Sequence, residues 1–281
     1  MQIDVEHLTT YSYSEPVALG PHRVRLRPRP DGGFRELDYG LVVEPAPALR
    51  SEQLDAAGNL VTRLWFEGET RYLRLRSRFS VETHRPAGPL LILDTAFRTL
   101  PAVYPVDEAH CLAPYRGAGE VGDPVRALAD QIAGEAAGDP LDFLTILTGR
   151  LHREIKREIR HQGAPQTPAE TLARGSGACR DQTVLFIAAC RAAGLAARFV
   201  SGYQDRSALD TPERYLHAWP EVYIPCQGWQ GFDPTRGIPV TNGHVPVAAA
   251  PEPQGTMPVD GSYFGTAASK LAFEMRIGSG T

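Results

Sequence analysis

The chain reads as an α+β protein: a β-rich first part, then a helical layer, then a short antiparallel sheet. Three observations predict this order. Period-two runs of apolar residues recur through the first hundred residues. Capped stripes at helical spacing follow over residues 123–193. Period-two runs then return at residues 197–203, 217–224 and 228–233.

Bulk composition narrows the class. The 281 residues are 42% hydrophobic and 22% charged, ordinary for a globular chain long enough to bury one large core or two moderate ones. A net charge of −4 supplies no basic field for nucleic acid or membrane. The start, Met1 to His7, carries no charged-then-apolar leader, and no apolar run reaches bilayer length, so a cytoplasmic protein is expected. Cys111, Cys179, Cys190 and Cys226 are widely spaced without a CxxC pair, which argues against a disulfide framework or a zinc knuckle.

Residues 1–105 predict a β-sandwich-like domain. Val24 and Leu26 alternate with arginines, as do Leu73, Leu75, Phe79 and Val81, and Leu60 to Phe66 gives a further run. Turn signals separate them at Asp31-Gly32-Gly33, Ala57-Gly58-Asn59 and Glu67-Gly68. The arginine rows read as the wet face of a sheet, offset by nearby Glu36, Asp38, Glu67 and Glu69. Prolines and glycines from Thr99 onward mark residues 106–122 as a linker.

The catalytic candidate region spans residues 123–245. Asp123-Pro124 and Asp139-Pro140 each offer a helix N-cap with proline in the first turn. Leu144, Leu147, Leu151, Ile155 and Ile159 then form an apolar stripe opposite Arg150, Arg153, Lys156, Arg157 and Arg160. Thr167-Pro168-Ala169-Glu170 matches a capping box, with Gly175 as the stop. After Gly175-Ser176-Gly177-Ala178, a helix is expected from Cys179 to Ala193, ended by Gly194. Cys179 thus sits on a first turn, where free N–H groups and the helix dipole favour an anion and hence a thiolate. Packing of a helix start is the alternative use of such a cysteine. Cys190, about three turns on, reads as core, and Cys226 as an exposed thiol in a polar turn.

A strand at residues 197–203 and a polar surface loop over 204–214 come next. His217-Ala218-Trp219-Pro220-Glu221-Val222 and Gly228-Trp229-Gln230-Gly231-Phe232-Asp233 read as adjacent antiparallel strands. Pro220 removes a ladder donor, which suggests an edge or irregular place for the first. Such a pair can set His217 beside Asp233, and a helix packed on the sheet can bring Cys179 to the histidine. A thiolate attacks a carbonyl carbon, an imidazolium stabilises it and protonates the leaving amine, and a carboxylate orients the ring. The backbone N–H of Cys179 is a candidate oxyanion donor.

The pieces Gly175 to Asp181, Gly194 to Arg198, Val200 to Tyr203, His217 to Val222 and Gly228 to Thr235 resemble the transglutaminase-like superfamily, particularly its bacterial cysteine protease branch. The first hundred residues resemble the β-rich region that precedes this core in bacteria. The resemblance implies a papain-like α+β core with catalytic Cys179, His217 and Asp233, acting on a peptide or protein substrate; the sequence shows no calcium loop or phosphate loop, so no cofactor or metal is expected. Hydrolysis of a peptide or isopeptide bond is the first expectation. Transamidation through the same acyl-enzyme and a silent peptide-binding module are the alternatives. Asp181, Tyr203, Trp219 and Trp229 are candidate supporting or substrate-contacting residues, the tryptophans walling a groove, shielding the ion pair or simply packing the core. A metal site of Cys179, His217 and Cys226 is a further alternative of poor spacing. Residues 246–281 read as a tail, with a Pro- and Gly-rich surface segment over 240–262 and a final strand carrying Leu271, Phe273, Met275 and Ile277.

Overall fold

The computed structural model describes residues 1–85, 97–117, 121–205 and 215–280. Five strands come first: β1 (Gln2–Val24), β2 (Phe34–Glu44), β3 (Leu49–Leu54), β4 (Leu60–Trp65) and β5 (Glu69–Thr83). Helices follow: α1 (Val106–Arg116), α2 (Asp123–Glu135) and α3 (Pro140–Glu154). Next come β6 (Lys156–Arg157), α4 (Pro168–Arg174), β7 (Ser176–Gly177) and α5 (Cys179–Ala192). The chain closes with β8 (Ala197–Gln204), β9 (His217–Ile224), β10 (Gly228–Asp233), β11 (Ile238–Pro239), β12 (His244–Ala250), β13 (Val259–Phe264) and β14 (Ser269–Gly280).

The N-terminal strands join through β1. Its first half pairs with β5 on one side and with β14 on the other, and its second half pairs with β13 and β4. The β1–β5 register shifts between Ser12 and Val17, the irregularity at which so long a strand can change partners. In β1 the inward set passes from Ile3 and Val5 to His7 and Thr9, polar yet buried. That is why no apolar alternation announces the strand.

The second sheet runs β11-β10-β9-β8-β12. Helices cover one face through a cluster that includes Phe143, Leu144, Leu185, Phe186 and Val222. The N-terminal sheet covers β8 and β12 on the other side: Ile3, Val5, Phe79 and Val81 pack with Tyr203, Val245 and Val247. Each such buried side chain contributes about 1.5–3 kcal/mol, so the interface belongs to the core of the molecule.

Several local expectations change. The 106–122 stretch contains helix α1, whose Leu112 is buried; Pro105 and Gly117 stand at its two caps, so these residues mark helix ends rather than a linker. Residues 118–120 lie outside the described residues. Gly122, not Asp123, is the N-cap of α2, whereas Asp139 does cap α3, accepting from the N–H groups of Leu141 (2.8 Å) and Asp142 (2.9 Å). Ile159 falls beyond α3 and is exposed. The capping box at Thr167 and Glu170 forms, and Gly175 ends α4 with φ of 60°.

Pro220 sits in a central strand, not at an edge. The Tyr223 N–H donates to Ala196 on the β8 side, so alternation turns the Pro220 nitrogen toward β10, where pairing has already ended at Glu221. The stretch over 240–262 is not a surface segment. β12 is buried along its whole length and pairs with β8, β13 pairs with β1, and a boundary at 245 falls inside β12. Its all-buried run of small apolar residues does not alternate, and Pro246 stands at a register shift, which hides the strand. The final strand, β14, pairs with β1 from Tyr13↔Ser269 to Gln2↔Gly280. Of the polar loop expected over 204–214, residues 206–214 lie outside the described residues.

Candidate active site

The turn before α5 delivers Cys179 as the first residue of the helix. Asp181 braces that turn. Its carboxylate accepts from the N–H groups of Ala178 (2.7 Å) and Gln166 (2.8 Å) and pairs with Arg160 (2.5 Å). Gly177 is required for this approach, since a Cβ there would lie 2.9 Å from the Asp181 Cβ. Asp181 therefore acts on the backbone that carries the sulfur.

The cysteine, histidine and aspartate meet. Cys179 is half-buried, and its sulfur lies beside the His217 ring and the Ala218 backbone, both of which favour the thiolate. His217 Nε2 bonds Asp233 Oδ2 at 2.9 Å, both side chains being fully buried. With Nε2 on Asp233, Nδ1 is the ring nitrogen left for the sulfur; it is buried and makes no close hydrogen bond. Burial alone would raise the Cys179 thiol, but the hydrogen bond and charge of His217 and the Ala218 backbone outweigh it, and the thiol falls below its usual range. Burial likewise opposes the His217 cation, but the Asp233 charge and hydrogen bond prevail and push its pKa up to about 9. Opposite shifts of this kind favour a thiolate–imidazolium pair.

Asp233 is held from five directions. Oδ1 accepts from the Thr235 N–H (3.0 Å) and hydroxyl (2.5 Å). Oδ2 accepts from His217 and from Gln204 Nε2 (2.9 Å), and contacts His244 Nε2 at 3.2 Å. Although burial opposes ionisation, His217 and His244 hold this carboxyl well below the usual range.

His217, Asp233 and His244 bring one potential ligand atom each to within 4.8 Å of one another, a grouping that could hold a metal ion. The Thr241 hydrogen bond to His244 opposes it. The Thr241 N–H donates to His244 Nδ1 at 3.1 Å, which puts a lone pair on Nδ1 and the hydrogen on Nε2, where the Gln204 amide nitrogen also stands at 2.8 Å. A ligating histidine has the reverse arrangement, with its outer nitrogen donating. The alternative of Cys179, His217 and Cys226 fails on position, because exposed Cys226 lies in the turn after β9, at the end of that strand away from His217.

The other candidates separate. Trp219 walls no groove: it is fully buried, its ring packed 6.0 Å from that of His217 and 5.3 Å from that of His244. Gly202 makes room for it, because a Cβ there would approach the indole to 2.5 Å. Tyr203 is not at the site. Its hydroxyl bonds His7 Nδ1 at 2.8 Å, facing the N-terminal sheet, while its neighbour Gln204 reaches Asp233. Successive residues of a strand point to opposite faces, so the sequence reading missed by one position. Trp229 packs against Tyr223 and Tyr115 with Arg198 4.1 Å above its ring. It pairs with Tyr223, six residues along β9 from His217, roughly 20 Å away. His244 opens a strand that lies within the 240–262 stretch whose prolines and glycines read as a surface segment, so the sequence does not mark it.

Comparison with known proteins bears on family and fold. Residues 3–82 match the bacterial transglutaminase-like N-terminal region, and residues 126–234, which hold all three site residues, match the transglutaminase-like superfamily. An uncharacterized protein of Mycobacterium tuberculosis is 28% identical over 274 residues, covering 92% of this chain and 87% of that protein. A protein-glutamine gamma-glutamyltransferase of Pseudomonas aeruginosa is 33% identical over 128 residues, 42% of this chain and 19% of that protein. A crystal structure from Cytophaga hutchinsonii, described provisionally as a cysteine protease, superposes with a TM-score of 0.74 at 22% identity, covering 100% of this chain and 92% of that one, and so shares the fold. With its α+β core and β-rich N-terminal region, the chain belongs to the transglutaminase-like superfamily.

Proposed function

We propose that the chain is a thiol-dependent acyl-transfer enzyme that hydrolyses a peptide or isopeptide amide through Cys179, His217 and Asp233. The observation that carries this reading is the meeting of a lowered thiol with a raised, carboxylate-backed imidazole at a helix start. The Cys179 thiolate attacks the amide carbon, and the N–H of the same residue, with no intrahelical acceptor, faces the developing oxyanion. His217 then gives its proton to the departing amine, leaving a thioester. Neutral His217 takes a proton from water as it attacks the thioester, which frees the acid and restores the thiol pair. Asp233 holds the ring throughout.

A peptide or protein is the substrate this chemistry calls for. Four free cysteines accord with a reducing, cytoplasmic setting, and no helix among the described residues is long and apolar enough to cross a membrane. If an amine reaches the thioester before water, the product is a transamidated chain. The name of the Pseudomonas aeruginosa relative favours testing for that outcome.

Peptide-like thiol-reactive probes, followed by mass spectrometry, test the reading: the label is expected on Cys179, and its absence there would remove the enzyme and leave a peptide-binding module. Incubating labelled peptides with and without an alkylamine then separates hydrolysis, which yields acid, from transamidation, which yields the amine adduct.

A further inference from the structure

Asp233 carries two histidines on one oxygen, and only one of them faces the sulfur. His244 approaches from β12 at 3.2 Å, wholly buried, beside Gln204 from β8. The two rings meet different neighbours. Nδ1 is the ring nitrogen of His217 that Asp233 does not engage, whereas His244 turns Nδ1 to the backbone N–H of Thr241, a donor that would be repelled by a second N–H.

The Thr241 N–H at Nδ1 assigns the hydrogen of a neutral His244 to Nε2, 3.2 Å from Asp233 Oδ2; the Gln204 amide nitrogen stands 2.8 Å from the same Nε2, so two donors crowd together on that oxygen. The charged groups around it are Asp233 on β10, His217 on β9 and Arg236 in the turn after β10. Burial, with the nearby His217 and Arg236 charges, depresses the His244 pKa and so keeps the cation on His217.

We propose that His244 is a positioning residue for the thiol chemistry, a neutral donor that locks the Asp233 carboxylate onto the back of His217. The inference rests on the reading of Cys179 as an activated thiol. Its mechanism is one of orientation. Gln204 and His244 converge on Oδ2 while Thr235 occupies Oδ1, so the carboxylate cannot rotate without breaking several bonds at once. Removing the His244 donor loosens that hold, weakens Asp233's support of the imidazolium and lets the thiol of Cys179 rise.

The experiment measures alkylation of Cys179 by iodoacetamide as a function of pH, which needs no substrate. In His244→Leu the onset is expected to move up by about one pH unit, slowing alkylation about tenfold at pH values below both onsets. His244→Gln, whose amide can restore a donor near the Nε2 position, is expected to return the onset toward that of the native protein. An unchanged onset in a folded His244→Leu, or an equal shift in His244→Gln, would overturn the proposal. The unaltered protein gives a test independent of folding: nitrogen NMR between pH 6 and 8 should find His244 neutral with its proton on Nε2. A cationic His244, or one protonated on Nδ1, would overturn it as well. If Cys179 of the native protein alkylates no faster than Cys190, the activated-thiol reading fails first, an outcome distinct from a native onset that His244→Leu does not move.

Discussion

Helix α5 holds a cysteine near each end, and the two sulfurs have opposite fates. Burial raises both thiols. At Cys190 only the charge of the adjacent Arg191 opposes it, and the pKa stands well above the ordinary value. At Cys179 the His217 ring and the Ala218 backbone reverse the sign. The helix dipole contributes to this, but it is worth only about 0.3–1 kcal/mol in most settings. A facing imidazolium fixed by a buried carboxylate is the larger effect. The difference teaches that a helix start prepares a thiol, and a partner on the adjoining sheet activates it.

The strongest way to break this contrast is to exchange the two sulfurs' roles by truncation. Cys179→Ala should lower turnover roughly 10⁴-fold or more while leaving the melting temperature nearly unchanged, because the residue is half-buried at a helix start. Cys190→Ala should keep turnover and lose about 1 kcal/mol of stability, read by urea titration, because it empties a fully buried site. Comparable turnover in the two variants would end the distinction.

Next in size is the carboxylate. Asp233→Ala should cut turnover about 10²-fold or more and move the onset of Cys179 alkylation upward, since His217 loses the group that holds its proton. A normal onset in this variant would assign the raised imidazole to another cause.

The pH dependence sharpens the comparison further. The Cys179 thiol lies below its ordinary value and His217 is raised to about 9. As pH falls through the thiol's lowered value the thiolate is protonated, so alkylation and turnover should decline together. As pH rises through about 9 the imidazolium loses its proton, and turnover should fall for want of an acid. The thiolate persists there, so alkylation should not fall. Cys190 should react only at pH values well above the onset for Cys179. Rate profiles of turnover and of alkylation on the same preparation check the divergence.

The parts of the site that sequence made legible are those with local grammar. The turn of Gly175 to Ala178, the helix start at Cys179 and the strand endings at His217 and Asp233 each leave a mark within a few residues. What stayed hidden is non-local. Gln204 differs from the expected Tyr203 only by strand parity, and nothing nearby says which face of β8 meets Asp233. His244 belongs to a strand whose uniform burial erases alternation and whose Pro246 suggested a loop. Residues of β1 such as His7 were hidden for a related reason: a polar residue on the inward face breaks the apolar pattern, and its partner, Tyr203, lies 196 residues away.

The smallest expected effect concerns how far the activation of Cys179 reaches back along the chain. Thr167 caps α4, its hydroxyl accepting from the Glu170 N–H at 3.2 Å while Glu170 Oε2 accepts from the Thr167 N–H at 2.8 Å. Thr167→Ala should therefore cost about 1 kcal/mol of stability, read by urea titration. Between this cap and the sulfur stand Gly175, free to adopt its left-handed turn, and Asp181, whose three bonds fix the backbone at Ala178 and Gln166 and hold Arg160. If those bonds isolate the start of α5, the pH at which Cys179 begins to alkylate stays where it is while the melting midpoint drops. An alkylation onset that moves together with stability would instead make the whole of α4 part of the apparatus that sets this thiol apart from Cys190.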